Sequence, residues 1–163
     1  GMSAHRFLDS LDELNQHLEY FQSFGSENME KLHRMGVKKM MTFESLLVPP
    51  NQRKSQTPLP VSKLLAYLGN QTFAHSLADA IVATARIDVK VPRLSSSIGY
   101  EVIEACRKVR VIPCDINVQR NREIFHPQEE AWKISRELWE NRTVFRNQDP
   151  FIFTYQEHSK KAA

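Results

Sequence analysis

At 163 residues, 41% apolar and 25% charged, the chain has the size and composition of one globular domain that buries its own core. Its 22 Lys and Arg against 19 Asp and Glu leave a formal charge of +3, a mild surplus that permits an acidic partner without requiring one. There is no apolar run of about 18 residues to span a membrane, and no basic-then-apolar opening to act as a secretory signal. The two cysteines, Cys106 and Cys114, suit a reducing compartment better than a disulfide framework, so a cytoplasmic protein is expected.

The first strong pattern covers residues 4–24. Phe7, Leu8, Leu11, Leu14, Leu18 and Phe21 recur at helical spacing, with Asp9, Asp12, Glu13, Gln16 and Glu19 on the opposite side. Gly25 ends this predicted helix and Ser26 caps a second, in which Met29, Leu32 and Met35 face inward. Gly36 ends that one, and a third helix is predicted over Val37–Leu47. Residues 48–58, VPPNQRKSQTP, then read as a flexible linker-like loop. Leu59–Arg86 reads as two helices about a tight corner. Val61, Leu64, Leu65 and Leu68 mark the first, Gly69 and Asn70 the turn, and Thr72 the cap of the second. Phe73, Leu77, Ala80, Ile81 and Thr84 form that second helix's inner face.

After Arg86 the period shortens. Ile87, Val89 and Val91 alternate with Asp88 and Lys90 as a half-buried strand would, and Pro92 ends it. Ser95, Ser96 and Ser97 then cap a helix predicted over Ile98–Lys108. Val111–Val118 is extended again, with Ile112, Cys114, Ile116 and Val118 on one face and Pro113 marking an edge or a bulge. His126-Pro127 opens a last helix carrying Trp132, Leu138 and Trp139, and Phe151, Phe153 and Tyr155 alternate in a final strand. These elements predict a helix-rich α+β domain. Its helical part covers about 4–86, and its mixed part, about 87–156, holds a sheet of about three strands with helices on one face. A tiny parallel sheet is the second choice. In a third arrangement Tyr100–Val109 is itself extended and forms a hairpin with Val111–Val118.

Catalytic and metal chemistry finds little support in these residues. Glu30 and His33 stand at i, i+3, but the second Glu-x-x-His of a di-metal bundle is missing. His75 and Asp79 lie one helical turn apart, which a hydrogen bond on a helix face explains as well as an oriented imidazole. Cys114 paired with His75 or His126 is the one conceivable nucleophile, yet its position on an inward strand face makes it core. No catalytic residue, metal or cofactor is therefore assigned.

Binding chemistry has more to work with. Arg93 with Ser95, Ser96 and Ser97 could receive an anion at a helix start, although the segment matches no phosphate-loop pattern. The corner at Leu68–Thr72 resembles a helix-turn-helix in shape, which offers Asn70, Gln71 and Thr72 to nucleic acid. Arg53, Lys54, Arg107, Lys108 and Arg110 are the candidate phosphate contacts. The apolar stripe of 4–24, the methionines and the two tryptophans offer surface for a protein partner, most simply a second copy. The expectation is a non-enzymatic binding or adaptor protein that self-associates and contacts nucleic acid. The alternative is a small enzyme or phosphate-ligand binder using Arg93–Ser97 or a Cys114/His pair, its small-molecule ligand unknown.

Overall fold

The computed structural model describes residues 2–11, 13, 24–49, 61–109, 111–122 and 128–143. Among the described residues five strands form one mixed sheet. They are β1 (Met2–Leu8), β2 (Met40–Leu47), β3 (Ala80–Arg86), β4 (Glu101–Val109) and β5 (Ile112–Gln119), in the spatial order β1-β2-β3-β5-β4. The helices given bounds among the described residues are α1 (Ser26–Arg34), α2 (Val61–Ala74), α3 (Val91–Ser97) and α4 (Glu130–Glu140).

Strand direction dictates where the helices lie. β2 and β3 are parallel neighbours joined through α2. β3 and β4 both run antiparallel to β5, so they too are parallel, and α3 joins them across the strand between. Both crossovers step the same way along the sheet. A single handedness therefore puts α2 and α3 on the same face. There Ala66, Tyr67 and Phe73 of α2, Leu94 of α3 and Trp132 of α4 pack with Met41, Ile81 and Ala83 of the sheet. α1 covers the other face, where Met29 and Leu32 meet Leu8, Met40, Val82, Ile116 and Val118. The central strands are thus apolar on both sides; Ile81 and Val82, adjacent in sequence, face opposite layers and are both fully buried.

This architecture overturns much of the expected fold. The chain is α+β but not helix-rich, and it has no helical first half. It opens on β1, which pairs with β2 antiparallel, while residues 14–23 of the expected first helix lie outside the described residues. Val37–Leu47 is mostly strand, and the helical corner does not exist. α2 runs unbroken through Gly69 and Asn70 to Ala74, and the second expected helix is the loop before β3 followed by β3 itself. Ile87–Lys90 is a turn, Ser95–Ser97 end α3 instead of preceding a helix, and residues 101–109 are the strand β4. The hairpin considered third for Tyr100–Val118 is therefore the observed arrangement. Pro113 is not on an edge strand: β5 is interior, and Pro113 stands near its start, where a missing donor costs least. α1 and α4 match their expected helices. The linker-like loop beyond Pro49 and the final strand fall outside the described residues.

Polar contacts tie the elements at defined points. Asp79 accepts the backbone N–H groups of Lys38 and Lys39, both at 2.9 Å, joining the loops that lead into β2 and β3. Arg122 donates to the carbonyls of Ser76 (2.8 Å) and Ala78, which fixes the end of β5 to the same loop. α4 lies along α2, with Lys63 on Glu129, Tyr67 edge-on to Trp132 at 5.5 Å, and the His75 ring 5.1 Å from Trp139. The residue pairs ascend together, so the two helices run parallel.

Candidate functional site

Two regions gather the polar chemistry of this fold, and the first is the end of the sheet where β3 runs out. Lys108 of β4 stands opposite Pro113 of β5, whose carbonyl accepts the Ile87 N–H at 3.1 Å. The 87–90 turn, the start of α3 and the tip of the β4–β5 hairpin are thereby neighbours. Lys90, Arg93 and Lys108 are all exposed, and no carboxylate partner for them occurs among the described residues. The acids of this region have other commitments. Asp88 holds Arg86, whose hydrogen bonds lower its pKa; Asp115 accepts the Cys106 N–H at 3.0 Å. Glu104 takes Arg107 and the Asn28 amide. Burial opposes the charge on Glu104, but those hydrogen bonds outweigh it and lower the pKa.

The second region is internal. On the helix-covered face of β5, Asn117 and Gln119 follow each other at strand spacing and are 1% and 2% exposed. Asn70 of α2 is equally buried and donates to the Ile98 carbonyl at 3.1 Å. Asn117 donates to the Ser95 hydroxyl at 2.7 Å, and Gln119 donates to the Asn121 carbonyl at 3.1 Å while its amide lies against Gly99. Tyr100 completes the group. Its N–H bonds the Ser95 carbonyl, and burial pushes its phenol pKa up. Among the described residues the side-chain oxygens of Asn70, Asn117, Gln119 and Tyr100 have no hydrogen-bond partner. Native interiors leave few such atoms unpaired.

The residues singled out from sequence are thus divided. Arg93 and Lys108 come to one end of the sheet, and Lys90 joins them. Arg107 is engaged by Glu104, while Arg53, Lys54 and Arg110 lie outside the described residues. Asn70 and Gln71 are buried in mid-helix, and Thr72 returns its hydroxyl to the Leu68 carbonyl at 3.0 Å. Ser95 is buried and bonds the Val91 and Pro92 carbonyls; Ser97 bonds Leu94. These serines therefore sit at the carbonyl end of a helix, the end that repels an anion. Cys114 is buried among Ile116, Val82 and Met40, and burial raises its thiol pKa. His75 bonds the Gln71 carbonyl at 2.8 Å, and Asp79 is spent on the Lys38–Lys39 backbone. Among the described residues no cluster of three His, Cys, Asp or Glu side chains could hold a metal ion, and no helix is long and apolar enough to cross a membrane.

Sequence reasoning missed Lys90, Tyr100, Asn117 and Gln119. The signal for the last two was present: Asp115, Asn117 and Gln119 alternate with Cys114, Ile116 and Val118. A strand taken as an edge would turn those amides to water, whereas an interior strand buries them. No protein-family model, curated protein or solved structure matches the chain.

Proposed function

We propose that this is a cytoplasmic binding or adaptor protein with no catalytic step of its own, and that Lys90, Arg93 and Lys108 contact the phosphates of nucleic acid. The observation that carries this reading is the placement of three exposed cations at one end of the sheet, Lys90 and Arg93 from the start of α3 and Lys108 from β4, where the nearby acids are already engaged. A phosphate backbone is a regular line of anions that such a group can neutralise with release of counterions. The non-catalytic part is supported by Cys114, whose buried, high-pKa thiol is the opposite of an activated nucleophile.

The test is fluorescence anisotropy of labelled duplex and single-stranded oligonucleotides across a salt series. Binding should weaken steeply with salt, and combined Lys90→Glu, Arg93→Glu and Lys108→Glu should flatten the log–log slope by about 2–3. Lys133→Glu on α4 should leave it unchanged. Absence of binding at low salt, or a slope indifferent to the triple reversal, would remove the nucleic-acid reading.

Self-association is a second reading, favoured by the position of β1. Among the described strands it lies at an edge, and Phe7, on the same face as the fully buried Met41, is 55% exposed beside it. Sedimentation equilibrium should detect a dimer that Phe7→Glu disperses; a monomer at all concentrations would end that reading.

A further inference from the structure

The basic end of the sheet also carries apolar side chains that phosphate contact does not use. Val111, at 88%, is the most exposed large apolar side chain among the described residues, and Val89 is 57% exposed. One exposed valine needs no explanation. These two belong to one place. β3 pairs with β5 through Arg86 and Cys114, and one residue further the Ile87 N–H bonds the Pro113 carbonyl at 3.1 Å. Val89 lies two residues beyond Ile87 in the turn, and Val111 two residues before Pro113 at the tip of the β4–β5 hairpin. The cations stand around them. Lys90 follows Val89, Lys108 is opposite Pro113, and Arg93 lies one turn on from Lys90, its N–H bonding the Lys90 carbonyl.

Apolar tips among cations discriminate between two forms of nucleic acid. In a duplex the bases are stacked and show only their edges, at the floor of grooves about 7.5–8.5 Å deep. A two-stranded ribbon can enter the major groove, which is about 12 Å wide. This end of the sheet is too blunt to do so. β3 lies against β5 and β5 against β4, and three strands about 4.8 Å apart set about 10 Å of backbone side by side before any side chain is added. The start of α3 widens the end further. The hairpin passes the Ile87–Pro113 contact by only two residues, about 7 Å of strand. On a duplex the cations would meet phosphates while the valines stayed in water.

A single strand is different, because its bases turn out of the stack and offer their faces to apolar side chains while cations hold the phosphates. We infer that the nucleic acid held at this end is single-stranded, with Val89 and Val111 packed against its bases. The inference rests on phosphate contact by Lys90, Arg93 and Lys108.

The test compares a labelled single strand with a duplex of equal length by fluorescence anisotropy, across a salt series. Phosphate contact alone favours the duplex, whose denser charge releases more counterions. The single strand should instead bind about tenfold tighter, the worth of covering two valine side chains in part. Combined Val89→Ser and Val111→Ser should remove that preference. Neither substitution alters charge, so the salt slope should not change. Equal or tighter binding of the duplex, or a preference that survives both substitutions, would overturn the inference and leave the phosphate contact standing. Absence of binding to either form at low salt would overturn both. Tighter binding to phosphatidylserine vesicles than to either oligonucleotide, lost with the same two substitutions, would assign the valines to a bilayer and overturn the inference as well.

Discussion

Gly69 lets α2 lie close against the β1–β2 pair. A Cβ at this position would stand 2.6 Å from Cε2 of Phe43 and 2.8 Å from Cε1 of His5. Those two rings already pack edge to face at 4.5 Å, so neither can withdraw without disturbing the other. Gly69→Ala gains about 1 kcal/mol of helix propensity and meets an overpacking cost of about 1–3 kcal/mol. The expected outcome is a net loss of about 1 kcal/mol, read from the denaturant midpoint at unchanged slope. The same packing governs His5. Burial removes water from its ring and lowers its pKa from 6.5 to about 4, against a smaller raising effect of the Thr42 backbone hydrogen bond. The native state thus keeps the imidazole neutral where the unfolded chain would protonate it. This contribution to stability is complete above about 6.5 and falls as pH drops from there toward 4. An NMR titration of the ring should find its midpoint near 4; one near 6.5 would mean that water reaches it.

At the scale of elements, legibility followed burial. α1 and α4 show one apolar side and one charged side, and both were readable because a helix against a sheet has this pattern. β2 and β3 were misread as helices. Met40-Met41 and Ala80–Ala83 are apolar at every position because both faces of the sheet are covered, and a continuous run matches helical spacing as well as strand spacing. Alanines in β3 deepened the error, since their helix propensity yields to tertiary packing. β4 was hidden differently. Its register shifts twice, and Cys106 takes a left-handed φ of 55°, so the alternation of a strand is broken in the sequence itself. The basic sheet end was half legible, because Arg93 and Lys108 are visible in the sequence but their meeting depends on the β4–β5 pairing. The loops that order these strands rest on few groups. The Asp79 carboxylate joins the Lys38 and Lys39 N–H groups beside the Asp79 N–H bond to the Lys39 carbonyl, and those hydrogen bonds to its carboxylate lower its pKa. Asp79→Ala should cost about 1–2 kcal/mol, measured by equilibrium unfolding. Because the folded pKa is depressed, the wild-type advantage should be present above 3.8 and fade as pH falls below it.

For the molecule as a whole, the two edges of the sheet differ, and the difference bears on partners. β4 carries two irregularities in its ladder and an exposed Cys106, features that blunt an edge against further pairing. β1 also shifts register, between Ala4 and His5, yet its remaining pairing is regular from His5 to Leu8 and Phe7 stands exposed beside it. The interior strands have two neighbours each and are covered on both faces. Native-state hydrogen exchange should therefore be slowest at Ile81–Ala85 of β3 and at Ile116–Val118 of β5, and clearly faster along β4, where a strand is paired on one side only. The pattern at β1 is the informative part. In an isolated chain β1 should exchange as fast as β4, since both are edges. If β1 instead approaches the protection of β3 as concentration rises, while β4 does not, its free edge is being paired by a second copy. Concentration-independent exchange at β1 would mean that a second copy does not pair with it, and would leave the basic end near Lys90, Arg93 and Lys108 as the candidate contact surface among the described residues.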